Sequence, residues 1–296
     1  MNLAEKVKKI TIGLTMLGAF SGAVQAMELI KDVTYGERTR NQLDIYLPDT
    51  MKAEKPPVVV FIHGGRWFRN DKTQFELYNR VPQVTDAGYA VVAINYTYSS
   101  EDIWPTQLHD LRDAFDFVRA NGDKYGYDAD RMAVWGQSSG AHLALWAAFD
   151  QAQNPETQLD ALVSWYAPSD LISIIPDRAN DDVPDRGNMA KEPTPESLLV
   201  GKPVPENKAL ADAASPYRFL MKLPLSTPLP PSLLVHGAKD FVISPLQTER
   251  LYNEMKKRSG VESVELRRVK EGKHGGDAFN AEVPAVIEFL NNTFEM

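Results

Sequence analysis

The sequence contains no cysteine. Disulfides, thiolate zinc sites, iron–sulfur clusters and a cysteine nucleophile are therefore excluded, as is a lipid anchor on an N-terminal cysteine. Basic residues are in the minority, 32 Lys and Arg against 40 Asp and Glu, giving a formal net charge of −8. With a pI near 5.2, the chain lacks the basic surplus that a nucleic-acid partner normally requires. Histidine is scarce, five in 296 residues, so each imidazole can be followed individually. What remains, 43% hydrophobic and 24% charged residues, is the composition of an ordinary globular protein.

Only the first residues carry a long apolar run. Lys6, Lys8 and Lys9 precede the 15 residues Ile10 to Val24, and Val24-Gln25-Ala26 closes the run with small residues at the two positions a signal peptidase reads. This three-part pattern predicts a secretory signal. The run falls short of the ~20 residues needed to span a bilayer; the alternative reading is an uncleaved anchor. Cleavage after Ala26 leaves 270 residues and moves the net charge to −10, since three lysines and one glutamate are removed. The expectation is a periplasmic or secreted protein, with residues 27–296 as one domain and no stable membrane span after cleavage. A chain of this length can bury a single large core without disulfides.

The mature chain alternates strand-like and helix-like segments. Leu43 to Leu47 alternates apolar and polar residues, as a half-buried strand does. Pro57 to Ile62 is a continuous β-branched run, as in a strand buried on both faces. Tyr89 to Asn95, Met132 to Trp135, Leu162 to Tyr166, Leu233 to His236 and Val264 to Val269 also read as strands. Leu108, Leu111, Ala114, Phe115 and Val118 recur at helical spacing, and Ala141 to Ala148 and Leu246 to Met255 read as helices. The fold class expected is α/β: a mostly parallel sheet with helices on both faces and an antiparallel start. Residues 170–230 break the rhythm. Eleven of the 20 prolines fall between Pro176 and Pro231, with Asp177, Asp181, Asp182 and Asp185 at the start. This region reads as an insertion or lid that buries little.

Gly136-Gln137-Ser138-Ser139-Gly140 fits G-x-S-x-G, between a predicted strand and a predicted helix, the context of a nucleophile elbow. Ser138 would sit at the turn's tip above the positive end of the helix dipole. Of the histidines, His63 precedes the elbow beside two glycines, and His109 lies mid-helix. His142 is on the helix that the elbow launches, and His236 ends a buried strand. His274 remains as the candidate base, in a glycine-rich loop after the last strand. Asp240, after the Leu233 to His236 strand, is the favoured acid to orient it, with Glu249 and Asp277 as rivals. His63-Gly64-Gly65 follows a buried strand. Gly64 and Gly65, with the N–H of Ser139, are candidate oxyanion donors.

Together these residues resemble the α/β-hydrolase superfamily and, within it, HGG-type serine esterases. That group includes bacterial carboxylesterases, acetyl-xylan and feruloyl esterases, and kynurenine formamidases. Val33 to Gly36 with Leu43 to Pro48 resembles its opening hairpin. His236-Gly237 through Asp240 resembles its acid loop. Arg66 stands where a third glycine is often found, and Gln137 where a small residue is common; Arg66 is either a solvated charge or a contact for an acidic substrate. The resemblance implies a serine carboxylic-ester hydrolase for short-chain or aromatic acyl esters, with acetyl or feruloyl esters of plant polysaccharide as candidates. No metal or organic cofactor is implied. Trp67, Tyr96 and Tyr98 either line its pocket or belong to the core or surface. The alternatives are an arylformamidase and a hydrolase-fold binding module without chemistry.

Overall fold

The computed structural model describes residues 28–49, 55–184, 191–259 and 263–296. The segment read as a signal, through Ala26, lies outside them, as does Asp185. Eight strands form one sheet: β1 (Glu28–Thr34), β2 (Gln42–Leu47), β3 (Pro57–Ile62), β4 (Ala90–Ile94), β5 (Asp128–Gln137), β6 (Ala161–Trp165), β7 (Ser232–Gly237) and β8 (Val264–Val269). Their spatial order is β1-β2-β4-β3-β5-β6-β7-β8. β2 runs antiparallel to β1 and to β4, and all the remaining pairs are parallel. The expected antiparallel start is thus two strands, and the rest is the parallel sheet that strand–helix alternation demands.

The continuous apolar strands have a direct cause. Alternate side chains of β3 point to opposite faces: Val58, Val60 and Ile62 join one buried cluster, and Val59 and Phe61 join the other. Helices cover both faces, so no position of β3 can be polar. Each such side chain contributes about 1.5–3 kcal/mol by leaving water. The helix Thr106–Ala120 buries Leu108, Leu111, Ala114, Phe115 and Val118, the stripe read from sequence. The helix Ser139–Gln151 is apolar nearly all round, because it is buried almost everywhere.

The proline-rich region is not loosely packed. It folds into the short helices Ile174–Asn180, Pro195–Val200, Lys208–Ala214 and Pro216–Lys222. Leu199, Ala211, Ala214 and Leu220 are fully buried members of the main core. The Ala214 carbonyl accepts from Trp146 Nε1 at 2.9 Å and pairs with His142 Nε2 at 2.8 Å, tying the region to the helix behind the elbow. Asp177 is buried as well, accepting from Gln247 and forming a two-pronged pair with Arg250. The expectation that this region buries little is therefore corrected.

Candidate active site

β3, β5, β7 and β8 are parallel neighbours or near neighbours, and their C-terminal ends open on one edge, where sites of α/β sheets gather. β5 ends at Gln137 and the helix Ser139–Gln151 starts immediately. Between them Ser138 holds φ 55°, ψ −124°, a strained strand-to-helix turn of the kind the G-x-S-x-G pattern calls for. The turn needs glycine on both sides. A Cβ on Gly136 would lie 2.2 Å from the Gly140 carbonyl oxygen, and one on Gly140 would lie 2.1 Å from that of Ile62. The Ser138 N–H donates to the Trp165 carbonyl at 2.9 Å, anchoring the turn to β6.

His274 follows β8, in the loop between Gly272 and Gly276. Its Nε2 lies 2.8 Å from Ser138 Oγ, and its Nδ1 lies 2.7 Å from Asp240 Oδ2. Asp240 is fully buried. Its Oδ1 accepts from the N–H groups of Val242 and Ile243 at 2.8 and 3.0 Å. Burial alone would raise its carboxyl. The adjacent His274 and hydrogen bonds from His236 and His274 outweigh that and hold it well below the usual carboxylate range. An ionised Asp240 accepts only, so Nδ1 of His274 carries the proton and Nε2 is free to accept from Ser138. The rival acids are elsewhere: Glu249 pairs with Arg268, and Asp277 starts the short helix Asp277–Asn280.

The other histidines have structural partners. His236 contacts Thr248 Oγ1 at 2.6 Å and the Ile243 carbonyl at 3.1 Å, bracing the loop that carries Asp240. His142 accepts from Trp67 Nε1 at 3.2 Å. His109 is exposed. His63 is buried, and burial pushes its imidazole down to about 4. The neutral ring donates through Nδ1 to the Gly64 carbonyl at 2.8 Å.

That contact corrects one expectation about the oxyanion donors. The Gly64 N–H is already engaged, donating to Gln74 Oε1 at 2.6 Å. The Gly64 carbonyl is held by His63 Nδ1 and by Asn70 Nδ2 at 3.3 Å. In a trans peptide the next N–H points away from the carbonyl, so the Gly65 N–H faces away from both. Among the described residues, neither the Gly65 nor the Ser139 N–H meets an acceptor. Gly64 serves by its lack of a side chain: a Cβ there would lie 2.8 Å from the Gln137 carbonyl oxygen and 3.2 Å from Ser138 Cβ. Gly65 holds φ +129°, and a Cβ would fall 1.9 Å from the Arg69 carbonyl oxygen.

The aromatic residues are corrected too. Trp67 and Tyr96 are buried, 2% and 0% exposed, so they are core rather than pocket wall. Tyr96 stacks on the His63 ring at 4.4 Å and donates to the His63 carbonyl at 3.2 Å. Tyr98 is half-buried under the Arg40 guanidinium, 3.5 Å from its ring centroid, with its hydroxyl on the Asn70 carbonyl. Sequence reading passed over Gln74 and Asn70, which hold the peptide groups of Gly64, and Tyr166, which packs against His274. The one available signal was that Tyr166 directly follows a buried strand on the same sheet edge. Among the described residues, no group of three or more His, Asp or Glu side chains converges as a metal site would.

Residues 43–255 match the family model described as BD-FAE. The chain belongs to the BD-FAE family. Ser138 and Asp240 fall inside the matched span, and His274 lies beyond it. The chain is 28% identical over 256 residues to Esterase LipQ of Mycobacterium tuberculosis, covering 83% of this chain and 57% of that one. It is 33% identical over 122 residues to the isoprenylcysteine alpha-carbonyl methylesterase ICME of Arabidopsis thaliana, covering 41% of this chain and 28% of that one. This BD-FAE member thus spans about half the length of the first curated relatives it matches, 57%, 53% and 49%. Among solved structures it resembles a truncated carbohydrate esterase from gut microbiota, with TM-score 0.76, 25% identity, and coverage of 93% of this chain and 99% of that one. It also resembles a bifunctional GH43-CE protein of Bacteroides eggerthii, with TM-score 0.73, 26% identity, and coverage of 90% and 38%. The fold is that of an α/β-hydrolase.

Proposed function

We propose that this BD-FAE protein is a serine carboxylic-ester hydrolase. The observation that carries the reading is the continuous chain Ser138 Oγ–His274 Nε2 at 2.8 Å and His274 Nδ1–Asp240 Oδ2 at 2.7 Å. Ser138 Oγ attacks the ester carbonyl carbon as its proton passes to His274 Nε2, and buried Asp240 stabilises the imidazolium. The N–H groups of Gly65 and Ser139 receive the developing oxyanion, each supplying ~3 kcal/mol of barrier lowering. His274 then protonates the leaving alcohol, and the acyl-enzyme is opened by water that His274 activates in turn.

Short acyl groups on plant polysaccharide, acetyl or feruloyl, are the substrate class we favour. The carbohydrate esterase among the solved structures and the predicted export of the chain both support it. The same reading takes residues 27–296 as a hydrolase domain released to the periplasm or exterior by cleavage after Ala26. No helix among the described residues is long and apolar enough to cross a membrane.

The test is hydrolysis of p-nitrophenyl acetate by wild type and Ser138→Ala. Loss of at least about 10³-fold in kcat/KM is expected; equal rates would leave a binding module as the reading. Acetylated xylan, methyl ferulate and N-formylkynurenine then separate the substrate classes, and turnover of the formamide alone would overturn the ester assignment.

A further inference from the structure

Tyr166 is the residue immediately after β6, and it holds φ +44°. Only a few per cent of non-glycine residues have positive φ, and a bulky aromatic there is strained. Such strain persists only where surrounding contacts over-determine it, and it clusters at functional sites. The contacts are present. The Tyr166 N–H donates to the Val235 carbonyl at 2.8 Å. Its hydroxyl reaches Gln137 Oε1 at 3.4 Å, the same oxygen that accepts from Arg80 Nη1 at 2.8 Å. Its ring meets Phe279 edge-on at 4.6 Å and lies 4.6 Å from the His274 ring, tilted by 57°. The residue is 4% exposed.

His274 needs such a wall. Its loop contains Gly275 and Gly276, with φ +89° and +87°, so its backbone is not stiffened by side chains. The two hydrogen bonds of the imidazole act at Nδ1 and Nε2. They do not set the ring plane about the line joining those atoms, and a swing about that line tilts the Nε2 lone pair relative to Ser138 Oγ. An aromatic face against the ring restrains that swing. A Cβ on Gly275 would come within 3.1 Å of the Tyr166 hydroxyl, so the absence of a side chain there lets the ring lie close.

We propose that Tyr166 is a positioning residue whose ring, wedged between Phe279 and His274 and tethered to the residue preceding the nucleophile, fixes the plane of the His274 imidazole. Arg80 and Gln137 hold the tether. Arg80 is 2% exposed, with its charge set over the Trp165 ring at 5.1 Å. Sequence neighbours of the nucleophile and of the base are thereby joined through one side chain that touches neither substrate nor the transferred proton. This inference rests on the esterase reading of Ser138 and His274.

The experiment compares wild type, Tyr166→Phe, Tyr166→Leu and Ser138→Ala on p-nitrophenyl acetate, with melting curves for each. Tyr166→Leu is expected to lose at least 30-fold in kcat with KM within threefold. The downfield His274 Nδ1–H proton resonance should broaden in the same variant. Tyr166→Phe keeps the ring but releases the 3.4 Å tether to Gln137, and is expected to fall by no more than about fivefold in kcat with that resonance intact. If Tyr166→Leu shows no cooperative melt, Tyr166→Met, which fills the volume without an aromatic face, takes its place with the same expectation. A folded Leu or Met variant with kcat within threefold overturns the proposal, as does a Phe variant that falls as far as Leu. Activity that survives Ser138→Ala would instead mean that the esterase reading has failed.

Discussion

At the residue scale, the site depends on where single hydrogen bonds point. Gln74 accepts the Gly64 N–H and so sets the rotation of the peptide that precedes Gly65, the proposed oxyanion donor. Gln74→Ala is expected to lower kcat roughly tenfold with little change in KM, since a hydrogen bond of this kind is worth about 1–1.5 kcal/mol. Gln74→Glu, which still accepts, should retain most of the activity. An Ala variant with unchanged kcat would show that the loop holds its shape without this bond. Ser138, Asp240 and His274, singled out in the sequence because each stood after a strand in a turn, lie within hydrogen-bond reach of one another. That the Gly64 N–H is engaged was not legible, because its partner Gln74 comes from a later segment. Tyr166 had only its place at a strand end to mark it, because a positive φ leaves no trace in a residue's identity.

At the element scale, the helix Ser139–Gln151 is seated directly on the end of β3. Gly140→Ala would press a methyl group against the Ile62 carbonyl, at 2.1 Å before any adjustment. Overpacking against backbone of this kind costs about 3 kcal/mol. A clear drop in urea midpoint is expected, and an unchanged midpoint would contradict the packing described. The buried strands were legible from their β-branched runs. β1 was less so, since its ELIKDVT sequence lies at the sheet edge and is only partly buried. The helices beyond residue 174 were misread for a specific reason. Pro195, Pro205 and Pro216 sit in first turns of helices, where a missing N–H costs nothing, so prolines that suggested an irregular insert were helix starts.

For the whole molecule, acid sensitivity follows from two buried imidazoles. Burial holds His63 down to about 4 and His142 down to about 3, whereas an unfolded histidine titrates near ~6.5. With folded values depressed, the unfolded chain binds more protons in between, so stability is lost as pH falls from about 6.5 toward 4. At about pH 5 these two sites account for nearly two protons taken up on unfolding, a slope of roughly 2–3 kcal/mol per pH unit. Chemical denaturation between pH 7 and 4.5 should show this decline, and His142→Gln should remove about half of it. A flat profile would mean that both rings are charged in the native state, and a halved slope that one is.

The proposed function requires that Ser138 be a nucleophile activated by His274. Its most direct measurement is covalent labelling by a fluorophosphonate ester, followed by intact mass and peptide mapping. One adduct per chain is expected, on the peptide carrying Ser138. Labelling should be absent in Ser138→Ala and slowed by at least about 10²-fold in His274→Ala. An adduct on another residue, or labelling of Ser138 at an unchanged rate without His274, would contradict it.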